Sequence, residues 1–234
     1  MRSPHPHPER SEGPYVLAMT FPRRPSVLIL ILLALFALTA GLVVAGLTLP
    51  ADDAILRAAG NARREGLTTW MLFFTMLGGG WVEVPLALAL VVLLWRLGAQ
   101  GRARRYLYAA LSGELLYVIA KASFGRPRPE IISHLAEAGW SSFPSGHSMM
   151  APIIYTFGGV LLARTISSRA TKVVLLMVGA ITPIAIVISR VYLGVHYPSD
   201  VVAGLLLGCA WALCWDGDAS RASALATSSA PATR

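Results

Sequence analysis

The side chains of this sequence that could do chemistry fall into three clusters. The first runs Lys121-Ala-Ser-Phe-Gly-Arg126-Pro127-Arg128-Pro129, and the second is Pro144-Ser145-Gly146-His147. The third is Ser189-Arg190, followed after five residues by His196 and after three more by Asp200. Lys121, Arg128 and Arg190 are fixed cations. Arginine presents a planar fork and lysine a point charge, a combination that suits an anion with several oxygens, such as phosphate. Ser145 and Gly146 stand at the start of an apolar run, where backbone N–H groups and the positive end of a helix dipole face such an anion. Gly146 has no Cβ, so the backbone there can come close. His196 and Asp200 bracket Pro198, which suits the first turn of a helix. That spacing can bring the carboxylate to one imidazole nitrogen, fixing the tautomer and leaving the other nitrogen to attack. His147 can then protonate the departing oxygen as general acid. Two histidines and a carboxylate could bind zinc in principle, but the neighbouring cations would repel it. Neither a metal nor another cofactor is expected.

The elements that must position these residues are apolar. Ser26 to Leu49 is longer than the ~7–15-residue core of a secretory signal and matches the ~20 residues that span a bilayer. It reads as a first transmembrane helix. Ala51 to Gly80 mixes Asp52, Asp53, Arg57, Arg63, Arg64 and Glu65 with apolar residues, as an interfacial amphipathic helix does. Within it, Trp70 to Leu77 is too short to span alone and ends at Gly78-Gly79-Gly80, so the segment is expected to lie on or dip into the membrane. Further spans are read at Trp81 to Leu97, Arg105 to Lys121, His147 to Leu162, Val173 to Ser189 and Pro198 to Trp215. The expected fold is all-α, a polytopic bundle of six transmembrane helices plus the interfacial segment. Residues 26–216 would form one domain between disordered tails, 1–25 (rich in proline) and 217–234.

Short loops orient the bundle. Arg96, Arg102, Arg104 and Arg105 separate the second and third spans, and Arg164, Arg169 and Lys172 the fourth and fifth. An excess of Lys and Arg marks the cytoplasmic side, and Arg10, Arg23 and Arg24 place the N-terminus there too. The chemistry-bearing loops then face the other way.

Composition agrees. Hydrophobic residues make up 55% and charged residues 14%, with a mean hydropathy of +0.61, too little charge for a water-facing surface. A net charge of +8 invites a nucleic-acid partner, but the cations flank apolar runs instead of alternating with aromatics along a groove. No nucleic-acid partner is expected. Cys209 and Cys214 lie within one apolar run and project in different directions, so they read as small fillers. His5 and His7 in the N-terminal tail form no metal pattern.

The three ordered clusters resemble the signature of the type 2 phosphatidic acid phosphatase superfamily. That signature is Lys, six residues, Arg-Pro; then Pro-Ser-Gly-His; then Ser-Arg, five residues, His, three residues, Asp. Lys121 to Pro129, Pro144 to His147 and Ser189 to Asp200 match it without departure, over roughly residues 50 to 215. The resemblance implies that His196 attacks phosphorus and becomes phosphohistidine. It implies too that Asp200 orients His196, and that His147 protonates the leaving group and later activates water. Lys121, Arg128, Ser145, Gly146 and Arg190 would hold the phosphoryl oxygens. The implied substrate is a lipid phosphate or pyrophosphate of undecaprenyl pyrophosphate, phosphatidic acid or phosphatidylglycerophosphate type, in a bacterial inner membrane.

Each residue has a blander reading. A lone Lys or Arg at a membrane edge is more often an anchor, and a lone histidine more often structural. Their joint occurrence on one membrane face favours the phosphate site. Arg126 could bind headgroups or sit at the interface, and Ser189 and Tyr192 have no assigned role. Glu114 lies two turns before Lys121, ~10 Å of rise away, and reads as a structural polar contact before a substrate one. Rival functions are a phosphotransferase passing the same phosphohistidine to a lipid or sugar acceptor, and a non-enzymatic membrane scaffold. A vanadate-dependent peroxidase shares the anion-pocket logic but not the membrane setting. Oligomeric state is not encoded in any pattern above.

Overall fold

The computed structural model describes residues 27–216; both expected tails lie outside the described residues. Among those residues every regular element is a helix. Helix α1 (Val27–Val44) is apolar on all sides with a mean hydropathy of 3.1, and the protein buries only 11% of it. That is how a lipid-facing span looks. Helix α2 (Leu49–Asn61) begins around Pro50 and turns Asp52 and Leu56, one turn apart, inward. It is the amphipathic element expected after the first span.

Helices α3 (Glu65–Leu77) and α4 (Gly80–Arg96) meet at 50° and together are long and apolar enough to cross a membrane. The second crossing expected from Trp81 corresponds to α4, and α3 holds the short apolar segment expected before it. The start of α3 is held beside α8, where the Arg64 N–H donates to the Tyr192 hydroxyl at 3.0 Å. Its last turn reaches mid-bundle, where the Leu77 carbonyl accepts from the Tyr155 hydroxyl at 2.6 Å. The glycine run is therefore an elbow of 50° between two helices that together form a broken span or a dipping segment followed by a span.

Helix α5 (Gln100–Phe124) leads to the loop of the first cluster. Then α6 (Gly146–Ala151), a π-helical turn (Pro152–Phe157) and α7 (Gly158–Ala163) form one continuous rod. The protein buries 61% of that rod, far more than any other span, so it is the axis of the bundle. Its Ile153, Phe157 and Leu161 pack with Tyr106 of α5 in the largest apolar core among the described residues. The hydroxyl of Tyr106 donates to the Ile154 carbonyl in the π turn at 3.1 Å. Helices α8 (Arg169–Tyr192) and α9 (Pro198–Trp215) flank the rod, and α1 lies on α9.

Among the described residues five single helices, or six crossings if the bent pair counts as one, are long and apolar enough to span. Large apolar side chains such as Leu30, Leu93, Val174, Ile181 and Ile188 clothe the outer faces. A monomer in water does not tolerate apolar patches of that extent, whereas hydrocarbon solvates them. The expected all-α membrane bundle is thus the observed one.

Candidate active site

The three clusters meet at one end of the bundle because backbone hydrogen bonds tie their loops together. After α5, the carbonyl of Arg126 accepts from the Ser142 N–H at 2.6 Å. The Ser145 N–H donates to the carbonyl of Asp200 at 3.1 Å, joining the starts of α6 and α9. The Leu135 N–H donates to the Leu193 carbonyl at 2.9 Å. Helix α8 ends through Gly194, whose φ of +78° is a left-handed conformation. A Cβ there would lie 2.9 Å from the Arg63 guanidinium and 3.0 Å from the Ser133 carbonyl, so only glycine fits. That turn delivers His196.

His196 is 2% exposed and Asp200 is fully buried. The imidazole Nδ1 faces Asp200 Oδ2 at 3.5 Å and the Ser142 hydroxyl at 3.4 Å. Nε2 faces the other way, toward Arg128 Nη1 at 3.3 Å. The Asp200 carboxylate also accepts from the Ser142 hydroxyl, from the Tyr197 N–H at 2.9 Å and from Arg126 Nη1 at 2.6 Å. It is fixed on all sides. Burial pushes the His196 imidazole down to about 3, against the opposing pull of its hydrogen bond to Asp200, with Arg190 and Arg128 lowering it further. At neutral pH the ring is uncharged, so Nε2 keeps a lone pair when Nδ1 carries the proton.

Arg128 meets that face, and Lys121 and Arg190 lie within electrostatic reach of Arg128. Arg128 donates to the carbonyls of Gly139 at 2.6 Å and Trp140 at 3.2 Å, and also to Val195. Burial lowers its affinity for the proton, while Asp200 and Tyr117 oppose this; a guanidinium stays charged regardless. Lys121, 3% exposed, donates to the Pro144 carbonyl at 3.4 Å. Arg190, also 3% exposed, donates to the Thr75 hydroxyl of α3, and its Nε–H is buried without an acceptor among the described residues. A buried donor left unpaired is costly, and an anionic oxygen is what would satisfy it.

Ser145 caps α6 in extended conformation, and no side chain caps the first-turn N–H groups that follow. Its hydroxyl accepts from Ser148 at 3.0 Å. A Cβ on Gly146 would sit 2.7 Å from the Tyr117 ring, so glycine is required for packing as well as for approach. His147 is within electrostatic reach of Arg190, His196, Lys121 and Arg128. The elbow of the bent crossing lies against it: a Cβ on Gly78 would be 2.9 Å from its ring. All eight residues singled out in the sequence therefore share one end of the bundle.

Several residues gain roles that the sequence did not suggest. Arg126 is a buried bridge between Asp200 and Asp52, not a headgroup anchor. Ser142 orders Asp200, and Thr75 holds Arg190. The hydroxyl of Ser189 donates to Ile186 O at 2.7 Å, a helix-internal bond, while Tyr192 clasps α3 through Thr68 at 2.9 Å. Glu114 is exposed on α5, within electrostatic reach of Glu83. Among the described residues, no group of three or more His, Cys, Asp and Glu side chains is gathered.

A profile of the PAP2 superfamily matches residues 102–217. Phosphatidylglycerophosphatase B of Bacillus subtilis is 32% identical over 160 residues, covering 68% of this chain and 78% of that protein. Decaprenylphosphoryl-5-phosphoribose phosphatase of Mycolicibacterium smegmatis is 33% identical over 165 residues, 65% of this chain and 81% of that one. The crystal structure of a transmembrane PAP2 type phosphatidylglycerolphosphate phosphatase from Bacillus subtilis matches with a TM-score of 0.77 at 27% identity. The match covers 82% of this chain and 96% of that chain. Sequence relatives aligned along most of their length and a shared membrane bundle lead to one assignment: the chain belongs to the PAP2 superfamily of membrane phosphatases.

Proposed function

We propose that this chain hydrolyses a phosphate monoester or pyrophosphate carried by a membrane lipid, through a phosphohistidine formed on His196. Membership of the family and the phosphatase names of its relatives support lipid phosphate phosphatase activity. The observation that carries the mechanism is the orientation of His196, whose Nδ1 faces Asp200 while Nε2 faces Arg128.

The geometry supports the following steps. Nε2 of neutral His196 attacks phosphorus in line, forming a P–N bond as the bond to the lipid oxygen breaks. His147, entering protonated, gives its proton to that oxygen. Lys121, Arg128 and Arg190, with the first-turn N–H groups after Ser145, stabilise the equatorial oxygens, more strongly as charge builds. His147, now neutral, takes a proton from water, which attacks phosphorus. The P–N bond breaks, its electron pair returns to Nε2, and phosphate leaves. Positive charge at the phosphoryl group comes from side chains in this scheme, so an excess of chelator should leave turnover unchanged.

The relatives act on both glycerolipid and polyprenyl substrates by name, and a site at the bundle end accepts a headgroup while any tail stays in hydrocarbon. We favour a polyprenyl pyrophosphate or a broad lipid phosphate specificity. The arginine-rich loops lie at the opposite end of the bundle, which supports a site on the non-cytoplasmic face of a bacterial inner membrane. Residues 26–216 would be the working domain.

The test is phosphate release by purified protein in detergent from a panel of lipid phosphates and pyrophosphates, with no acceptor alcohol present. Free phosphate is expected, together with an alkali-stable, acid-labile phosphoprotein after rapid quench. His196→Ala should lose both. Wild-type turnover by His196→Ala would overturn the nucleophile, and a phosphorylated acceptor formed on adding an alcohol, with no free phosphate in its absence, would make the chain a transferase.

A further inference from the structure

Asp52 lies on α2, fifty residues before the segment that the family profile matches, yet it is part of the site. It is 3% exposed, an unusual burial for a carboxylate. Its Oδ2 accepts from Arg126 Nη2 at 2.9 Å and from the Ser199 hydroxyl at 2.6 Å. Its Oδ1 accepts from the Ser199 N–H at 2.9 Å, in the first turn of α9. Arg126 in turn donates to Asp200 Oδ1 at 2.6 Å and stacks over the Tyr197 ring at 4.0 Å. A continuous buried chain thus runs from Asp52 through Arg126 and Asp200 to the imidazole of His196.

The charges along this chain matter. Arg126 and Asp200 alone would neutralise each other. His196 gains positive charge on forming phosphohistidine, and a neutralised partner would stabilise that charge poorly. With Asp52 present, two carboxylates share one guanidinium, and the network that ends at the ring carries one net negative charge. In a buried setting of low dielectric such a charge acts strongly.

We propose that Asp52 is a positioning residue for the nucleophile: through Arg126 it sets the charge and orientation that Asp200 offers to His196. The inference rests on the phosphohistidine reading above. Asp52 touches neither substrate nor His196, so its removal should lower kcat and leave the grip on phosphate unchanged.

Kinetics of purified Asp52→Asn on a short-chain phosphatidic acid in detergent test this. Asparagine keeps an oxygen for the Ser199 N–H, so a purely structural cap would survive the change. We expect kcat to fall about 10- to 100-fold, a transition-state loss. KM and the inhibition constant of inorganic phosphate, a ground-state ligand, should stay within about threefold of wild type. In an Arg126→Gln background the same Asp52 change should cost little further, because the two residues act as a unit. Asp53→Asn, altering the neighbouring acid on α2, should leave kcat within about twofold. If Asp52→Asn does not give folded protein by size exclusion, Arg126→Lys carries the test. Lysine keeps the charge but cannot bridge both carboxylates, so kcat should again fall with KM and phosphate affinity intact. Wild-type kcat in the folded variant, or equal losses in kcat and phosphate affinity, would overturn the proposal. His196→Ala run alongside separates the two readings. An inactive His196→Ala beside a fully active Asp52→Asn sinks only this inference, while an active His196→Ala sinks the mechanism beneath it.

Discussion

The two ends of the bundle treat buried charge differently. At the site end, Asp52, Arg126 and Asp200 are nearly inaccessible, and each makes at least two short polar contacts. Farther down, the rod is packed by apolar side chains, and Glu83, buried in the first turn of α4 past the elbow, has an oxygen without a partner among the described residues. Charges that must hold a defined state are bonded on several sides. A carboxyl group without such bonds is poorly suited to orienting a nucleophile. The site end thus gains geometric precision from its network, and the far half supplies cohesion.

The largest effect should come from His147. Its replacement by alanine should lower kcat about 10²–10⁴-fold, the range for a general acid–base group. The loss should shrink when the lipid alkoxide is replaced by a nitrophenolate leaving group that needs no proton. An equal loss on both substrates would remove the acid role. Next, Arg190→Gln should cost about 10²–10³ in kcat, by analogy with one oxyanion donor; a change confined to KM would make Arg190 a docking group only. In the apolar half, Ile153→Ala should lower stability by about 2–5 kcal/mol, read as the thermal midpoint in detergent, while kcat of the folded fraction holds. A collapse in kcat with normal stability would blur the division between the two ends. The smallest effect concerns pH. Folded His196 stays neutral down to about 3, whereas an unfolded imidazole protonates near 6.5. Between those values the unfolded chain binds a proton that the native chain refuses, so stability falls as pH drops from about 6.5 toward 3. The slope is at most ~1.4 kcal/mol per pH unit. His196→Gln should flatten it, and an unchanged slope would contradict the neutral ring.

Much of this was legible in the sequence because the signature residues sit at helix ends with tight local spacing. His196 and Asp200 are one turn apart, and apolar runs of spanning length announce themselves. Asp52 and Arg126 were hidden for the opposite reason. Their partners lie 147 and 74 positions away, and an arginine at a membrane edge looks the same whether it anchors or bridges. The break at Gly78 to Gly80 was legible, since a short apolar run ending in glycines reads as a segment that lies on or dips into the membrane, but its ties to Tyr155 and Tyr192 were not.

The ties between the three loops run from main-chain N–H to main-chain carbonyl, at Ser142 to Arg126, Ser145 to Asp200 and Leu135 to Leu193. Such links do not depend on which side chains stand beside them. The reactive end therefore behaves as a plate lashed together at its own level and resting on pillars. The pillars can change in length, surface and preferred tail without moving the plate. One chemistry can in this way be carried to many different lipids.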